Sequence, residues 1–169
     1  MDIVIRELQL ADAQPIELAF LDQGWNKPAA QYEQYFSEQA AGTRAVLLAE
    51  IEGAFAGYLT IVWESGYPPF AEANIPEIVD FNVLEKFQRR SIGSQLMDAA
   101  EARIKTRSNT AGIGFGLMHD YGKAQILYAH RGYIPDGRGI YAHGRWLNDG
   151  DEVVIGHDIA LYLTKKLVT

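Results

Sequence analysis

Glu77-Ile78-Val79-Asp80-Phe81-Asn82-Val83-Leu84-Glu85-Lys86-Phe87-Gln88-Arg89-Arg90-Ser91-Ile92-Gly93-Ser94-Gln95-Leu96-Met97 is the stretch on which the fold turns. It opens as an alternating run of β-branched and aromatic residues and crosses a short polar, basic turn. It continues as a helix with apolar residues at Ile92, Leu96, Ala99, Ala100 and Ile104. The pattern is strand, loop, helix. The turn from Gln88 to Ser94 supplies two arginines, two serines and a glycine where the helix begins. The first amides of a helix lack intrahelical partners and the macrodipole adds partial positive charge, so such a turn suits a phosphate. Small residues at Ser91, Gly93 and Ser94 let an anion approach the backbone. An ordinary Ser-capped surface helix with exposed arginines accounts for the same residues equally well on local physics alone.

Outward from this stretch, residues 45–50 and 54–63 read as two strands joined by the Glu52-Gly53 turn, a hairpin. Residues 3–8 form a first strand, and Asp12 followed by Pro15 starts a helix running towards Phe20. The segment 24–28 breaks the pattern. A second helix over 29–41, with Tyr32, Tyr35, Phe36 and Gln39 on its spacing, ends at Gly42. Residues 64–70, with paired prolines, read as a shaped loop, either a rigid connector or a wall over a ligand.

Downstream, residues 113–118 form a buried strand, residues 122–130 a final helix, and Asp136-Gly137-Arg138-Gly139 a turn. Strands at 140–147 and 159–165 follow, separated by Asn148-Asp149-Gly150-Asp151. No linker or composition shift divides the chain, so residues 1–169 are expected to form one domain. The expected class is α/β (α+β), a mixed, mostly antiparallel central sheet with helices on both faces.

Composition narrows the chemistry. With 48% hydrophobic and 22% charged residues among 169, the chain has the make-up of a soluble globular protein. It has neither a membrane-length apolar run nor a secretory pattern at Met1-Asp2-Ile3-Val4-Ile5-Arg6, so a cytoplasmic location is expected. The absence of cysteine excludes disulfides, thiolate metal sites and a cysteinyl intermediate. A net charge of -7 argues against broad nucleic-acid binding and sits better with an amine-bearing ligand. His119, His130, His143 and His157 lack metal-ligand spacing, so no metal is expected. Trp25, Tyr32 and Tyr35 can stack on a ligand, although at helical spacing such residues more often pack a core.

Gln88-Arg89-Arg90-Ser91-Ile92-Gly93 resembles the Gln/Arg-x-x-Gly-x-Gly/Ala acyl-CoA loop of the GNAT (GCN5-related) N-acetyltransferase superfamily. A second stretch, Ala124-Gln125-Ile126-Leu127-Tyr128-Ala129-His130-Arg131-Gly132-Tyr133, resembles that family's late helix. The two occur in the family's order, one helix and one strand apart. Ser91 stands where the family usually has a glycine, and Tyr121 where many members place an asparagine that bonds the pantetheine arm. The resemblance implies the GNAT fold over nearly the whole chain, with the arm lying between the splayed strands that hold Asn82-Val83 and Phe115. It implies acetyl-CoA as co-substrate and direct attack by an amine in a ternary complex. A homodimer is compatible with it.

On this resemblance, the amides of Ser91, Ile92, Gly93 and Ser94 hold the pyrophosphate, with Gln88, Arg89 and Arg90 at the rim. Backbone groups of Phe81 and Val83 pair with pantetheine. Tyr128 matches the family tyrosine that protonates the leaving thiolate; packing is its alternative role. Glu77 is the first candidate for the general base and Asp80 its substitute. Period-two alternation puts Glu77, Val79, Phe81 and Val83 on one face and Ile78, Asp80 and Asn82 on the other, so only one carboxylate is expected to face a given cleft. Two rival functions remain: a non-catalytic acyl-CoA-binding protein, and a protein-interaction module built on the aromatic loop and acidic surface.

Overall fold

The architecture follows from strands whose two faces are both apolar. In a computed structural model describing residues 2–168, β2 (Arg44–Ile51) sends Ala45, Leu47, Ala49 and Ile51 to one side of a sheet and Val46 and Leu48 to the other. Such a strand needs cover on both faces. On one side lie α1 (Ala13–Asp22) and α2 (Ala29–Ala40), whose Ile16, Phe20 and Tyr32 pack on Val46, Leu48 and Tyr58. On the other lies α4 (Ile92–Lys105), which buries Ile92, Leu96, Met97, Ala100 and Ile104. These five recur at helical spacing, and burial of each of the four larger side chains contributes about 1.5–3 kcal/mol.

Among the described residues the sheet has eight strands in the order β1-β2-β3-β4-β5-β8-β6-β7, built from β1 (Ile3–Glu7), β2, β3 (Ala54–Val62), β4 (Glu77–Val83), β5 (Thr110–Gly116), β6 (Ile134–Ala142), β7 (Arg145–Trp146) and β8 (Ala160–Lys166). All pairings but one are antiparallel. The exception is β4 with β5, parallel, and joined only through Glu77 with Gly112 and Ile78 with Ile113. Beyond those residues the two strands part. The α/β class, with its mixed, mostly antiparallel sheet and helices on both faces, is therefore as expected from the sequence.

Several local expectations need correction. The paired prolines at 68 and 69 open a short helix, α3 (Pro68–Glu72); proline is tolerated there because the first helical amides need no partner. The segment 136–139, read as a turn, lies inside a strand: β6 runs through it with a register shift between Pro135 and Ile140. The strand foreseen at 140–147 is a hairpin instead, its turn made by His143 and Gly144 at φ 50° and 77°. Helix α5 (Gly122–His130) has the bounds read from the sequence.

Candidate active site

The parting of β4 from β5 leaves one edge of β4 without a strand partner, apart from Gln88 Nε2 on the Val83 carbonyl at 3.3 Å. Strand β4 is also irregular. Its register with β3 shifts between Tyr58 and Thr60, and Asp80 has φ 51°, a left-handed conformation uncommon for a residue other than glycine. Tyr58 faces Asn82, Thr60 faces Val79, and Val62 faces Glu77. Cross-strand partners share a face, so Glu77, Val79 and Asn82 lie towards α1 and α2. The bulge brings Asp80 to the same side, where it meets Tyr58, Tyr35 and Lys27. Phe81 and Val83 go to the opposite side with α4. The strict alternation expected for β4 is thus broken, and Glu77 and Asp80 share a face.

On the α4 side a groove of about 310 Å³ runs from β4 to the start of α4. Its walls are Phe81 and Val83, then Gln88, Arg89, Ser91, Ile92, Gly93 and Ser94 of the turn, joined by Phe87 and by Lys123, Ala124 and Leu127 of α5. Ser91 precedes the helix at φ 61° and makes no side-chain cap. The first helical amide with a main-chain partner is that of Gln95, on the Ser91 carbonyl at 3.0 Å. The amides of Ile92, Gly93 and Ser94 therefore precede the hydrogen-bonded ladder, and the ordinary Ser-capped helix is not what forms. A Cβ on Gly93 would lie 3.2 Å from Phe81 Cζ, so the absent side chain keeps the groove open.

Three residues expected at the cofactor do not line this groove. The Asn82 side chain points to the other face and donates to Asp80 at 2.9 Å. Tyr121 packs against Gly116 and bonds His157 Nδ1 at 3.0 Å. The Arg90 guanidinium lies 5.7 Å from the Phe87 ring centre. Conversely, Phe87 and Lys123 were not foreseen. Lys123 reaches Gln88 Oε1 at 3.0 Å from α5, a contact with no local sequence signal.

The two carboxylates on the α1/α2 face differ sharply. Asp80 receives five donors: Tyr58 hydroxyl at 2.5 Å, Gln31 and Asn82 amides at 2.9 Å, and Tyr35 hydroxyl and Lys27 ammonium at 3.0 Å. A carboxylate offers about four lone-pair sites, so these five donors fill its hydrogen-bonding capacity. Burial pushes the Tyr35 phenol up to about 12, and the Asp80 charge pushes the same way, so it stays a donor. Glu77 is 8% exposed and has a single side-chain donor among the described residues, the Ser65 hydroxyl. Burial raises its pKa above the usual carboxylate range, and the Ser65 hydrogen bond opposes that.

Tyr128 lies on α5 and is 5% exposed. Its ring packs 6.3 Å from that of Phe115 on β5 and 6.2 Å from that of Tyr133. Among the described residues its hydroxyl has no hydrogen-bond partner. Burial pushes its pKa upward, so the phenol remains protonated. Beside Glu77, Tyr67 stacks on Tyr162 with centroids 3.7 Å apart, and Phe70 meets Tyr162 edge-on. Among the described residues no group of three or more His, Cys, Asp or Glu is placed to hold a metal, and no helix is long and apolar enough to cross a membrane.

Comparison with known proteins bears on this geometry. A search of curated proteins finds no sequence match. Solved structures with the same fold include an N-acetyltransferase from Staphylococcus aureus Mu50, at TM-score 0.72 and 14% identity, covering 99% of this chain and 100% of that one. Another is yncA from Salmonella typhimurium with its cofactor acetyl-CoA (TM-score 0.65, 17% identity, 98% and 94% covered). A third is the paiA N-acetyltransferase of Thermoplasma acidophilum in complex with coenzyme A (TM-score 0.67, 13% identity, 98% and 99% covered). The family model described as Acetyltransferase (GNAT) family matches residues 9–133, which hold β4, the groove and α5. With a match over most of its length, the chain belongs to the GNAT acetyltransferase family.

Proposed function

We propose that the protein is an acyl-CoA-dependent N-acyltransferase that moves an acetyl group from acetyl-CoA to a primary amine by direct attack, with both substrates bound at once. The observation that carries this reading is the two-sided site. A groove with unpartnered helix amides lies on one face of the diverging strands, and a buried, sparsely bonded carboxylate lies on the other.

The residues of the groove fit acetyl-CoA. Amides of Ile92, Gly93 and Ser94 offer donors to its pyrophosphate, and Arg89 and Lys123 supply positive charge at the rim. Phe81, Val83 and Leu127 provide an apolar wall, and the free edge of β4 can pair with the pantetheine amides as with another strand. When bound, acetyl-CoA supplies the activated acyl group as a thioester.

The remaining work falls to the two faces of the gap. Glu77 takes the proton of the attacking amine; its raised pKa brings a carboxylate nearer the range useful to a base. Asp80, saturated by five donors, is the anchor that holds Lys27, Tyr35 and Tyr58 in place and does not serve as base. Tyr128, neutral and with a free hydroxyl, gives a proton to the departing sulfur. Acceptors that carry positive charge meet Glu77 and the partly exposed ring of Tyr162 beside it, since aromatic rings attract cations.

Calorimetric titration with acetyl-CoA, followed by thiol release in the presence of a panel of primary amines, tests the reading. Binding with amine-dependent thiol release is expected. Binding without release for any amine points to an acyl-CoA sensor, and no binding by a folded sample points to an interaction module.

A further inference from the structure

An open cavity of about 860 Å³ lies at the other end of the site, where the end of β3 meets α3 and the C-terminal end of α2. Its lining includes Val62, Trp63, Ser65 and Phe70 but not Glu77. Ser65 is the link between them. Its hydroxyl donates to Glu77, and its oxygen accepts the Tyr67 amide at 3.0 Å. A serine hydroxyl has one donor and two acceptor sites, so this one retains a free lone pair. Glu77 otherwise faces apolar or neutral groups. Tyr162 of β8, whose phenol the Glu77 charge helps to push up, is a titratable neighbour, Gly112 of β5 pairs beside it, and the Tyr67 hydroxyl is turned away onto Asp136 at 2.6 Å.

A buried base that accepts a proton at each turnover must lose it again before the next. We propose that Ser65 is the positioning residue that does this for Glu77, relaying the proton from the active site to solvent in the 860 Å³ cavity. The inference rests on Glu77 being the base. Glu77 takes the amine proton on one carboxyl oxygen, and the carboxyl then turns to donate it to the free lone pair of Ser65 Oγ. Ser65 passes its own proton to cavity water and its hydroxyl turns back. One proton moves from amine to water and no other bond changes. The Tyr67 amide holds the Ser65 oxygen in register throughout.

The test needs no acceptor. With glutamate carboxyls labelled in carbon-13, the Glu77 resonance is identified by its loss in Glu77→Gln and titrated in wild type, Ser65→Ala, Ser65→Cys and Ser65→Thr. Wild type should show one averaged line moving through its titration, because exchange with solvent is fast. Ser65→Ala should move the midpoint to higher pH, having lost a donor that favours the charged form, and should broaden or split the line at the midpoint. Ser65→Cys, nearly isosteric, should show the same trend should the alanine variant not fold. Ser65→Thr should restore the wild-type behaviour. An unchanged midpoint and line in Ser65→Ala or Ser65→Cys overturns the relay. Retained amine-dependent turnover in Glu77→Gln would instead remove Glu77 as base, a failure of the functional reading that the titration does not share.

Discussion

Replacing Tyr128 by Phe separates its two roles, because the structure gives its hydroxyl nothing to do in the fold. The ring, 5% exposed and held between Phe115 and Tyr133, is kept by the substitution. The lost hydroxyl has no hydrogen-bond partner among the described residues and is not one of the side-chain polar atoms shut off from water, so solvent can meet it. Tyr128→Phe should therefore stay within about 0.5 kcal/mol of wild type, a change in Tm of about 2 °C or less for a chain of this size. Tyr128 is not part of the groove wall, so the Kd for acetyl-CoA should be unchanged. Loss of a positioned acid, by contrast, should lower kcat about 100-fold, or about 2.7 kcal/mol of barrier. Thermal unfolding, calorimetry and thiol release, run on one preparation, give all three numbers. Wild-type turnover in the folded variant refutes the acid role, and a clear drop in Tm refutes the unpaired hydroxyl.

Other perturbations reach other parts of the site. Gly93→Asp places a carboxylate beside the open helix amides and should weaken acetyl-CoA binding at least about tenfold, about 1.4 kcal/mol; Gly93→Ala, which crowds Phe81 Cζ at 3.2 Å without adding charge, should do less. Equal affinities by calorimetry would place the phosphates elsewhere. Glu77 has a raised folded pKa, so between its unfolded value of 4.5 and that raised value the folded state binds the extra proton and stability falls as pH rises. Glu77→Gln should remove this fall and stabilise the protein at neutral pH; a wild-type-like stability–pH curve from urea unfolding would contradict the burial argument. A Cβ on Gly57 would sit 2.6 Å from the Asn82 carbonyl oxygen and 3.0 Å from Val83 Cα, so Gly57→Ala should force β3 from β4 and cost roughly 1–3 kcal/mol in urea unfolding. An unchanged midpoint would show that the strands have room to part.

Much of the fold was legible because the signals are local. The Glu52-Gly53 hairpin, the bounds of α5 and the apolar stripe of α4 follow from turn chemistry and the 3.6-residue period alone. The turn before α4 was legible too: of the residues named for it, all but Arg90 line the groove. What misled was the bulge at Asp80. An aspartate in the left-handed region inside a strand leaves no mark on a period-two pattern, yet it moves one carboxylate across the sheet. The prolines before α3 misled in a similar way, since the same pair opens a helix or shapes a loop.

The sequence by itself determined most of the strands and helices, the basic turn that precedes α4 and the absence of cysteine chemistry, because each depends on the residues themselves or on neighbours a few positions apart. Only the tertiary structure decided how the carboxylates divide their roles. Asp80 owes its saturation to Lys27, 53 positions away, and to Tyr35, 45 positions away. Glu77 owes the hydroxyl that bonds it, its single side-chain donor among the described residues, to a loop twelve residues upstream. The ionisation of a carboxylate depends on what surrounds it in space, and chain folding brings those surroundings together without any periodic trace in the sequence.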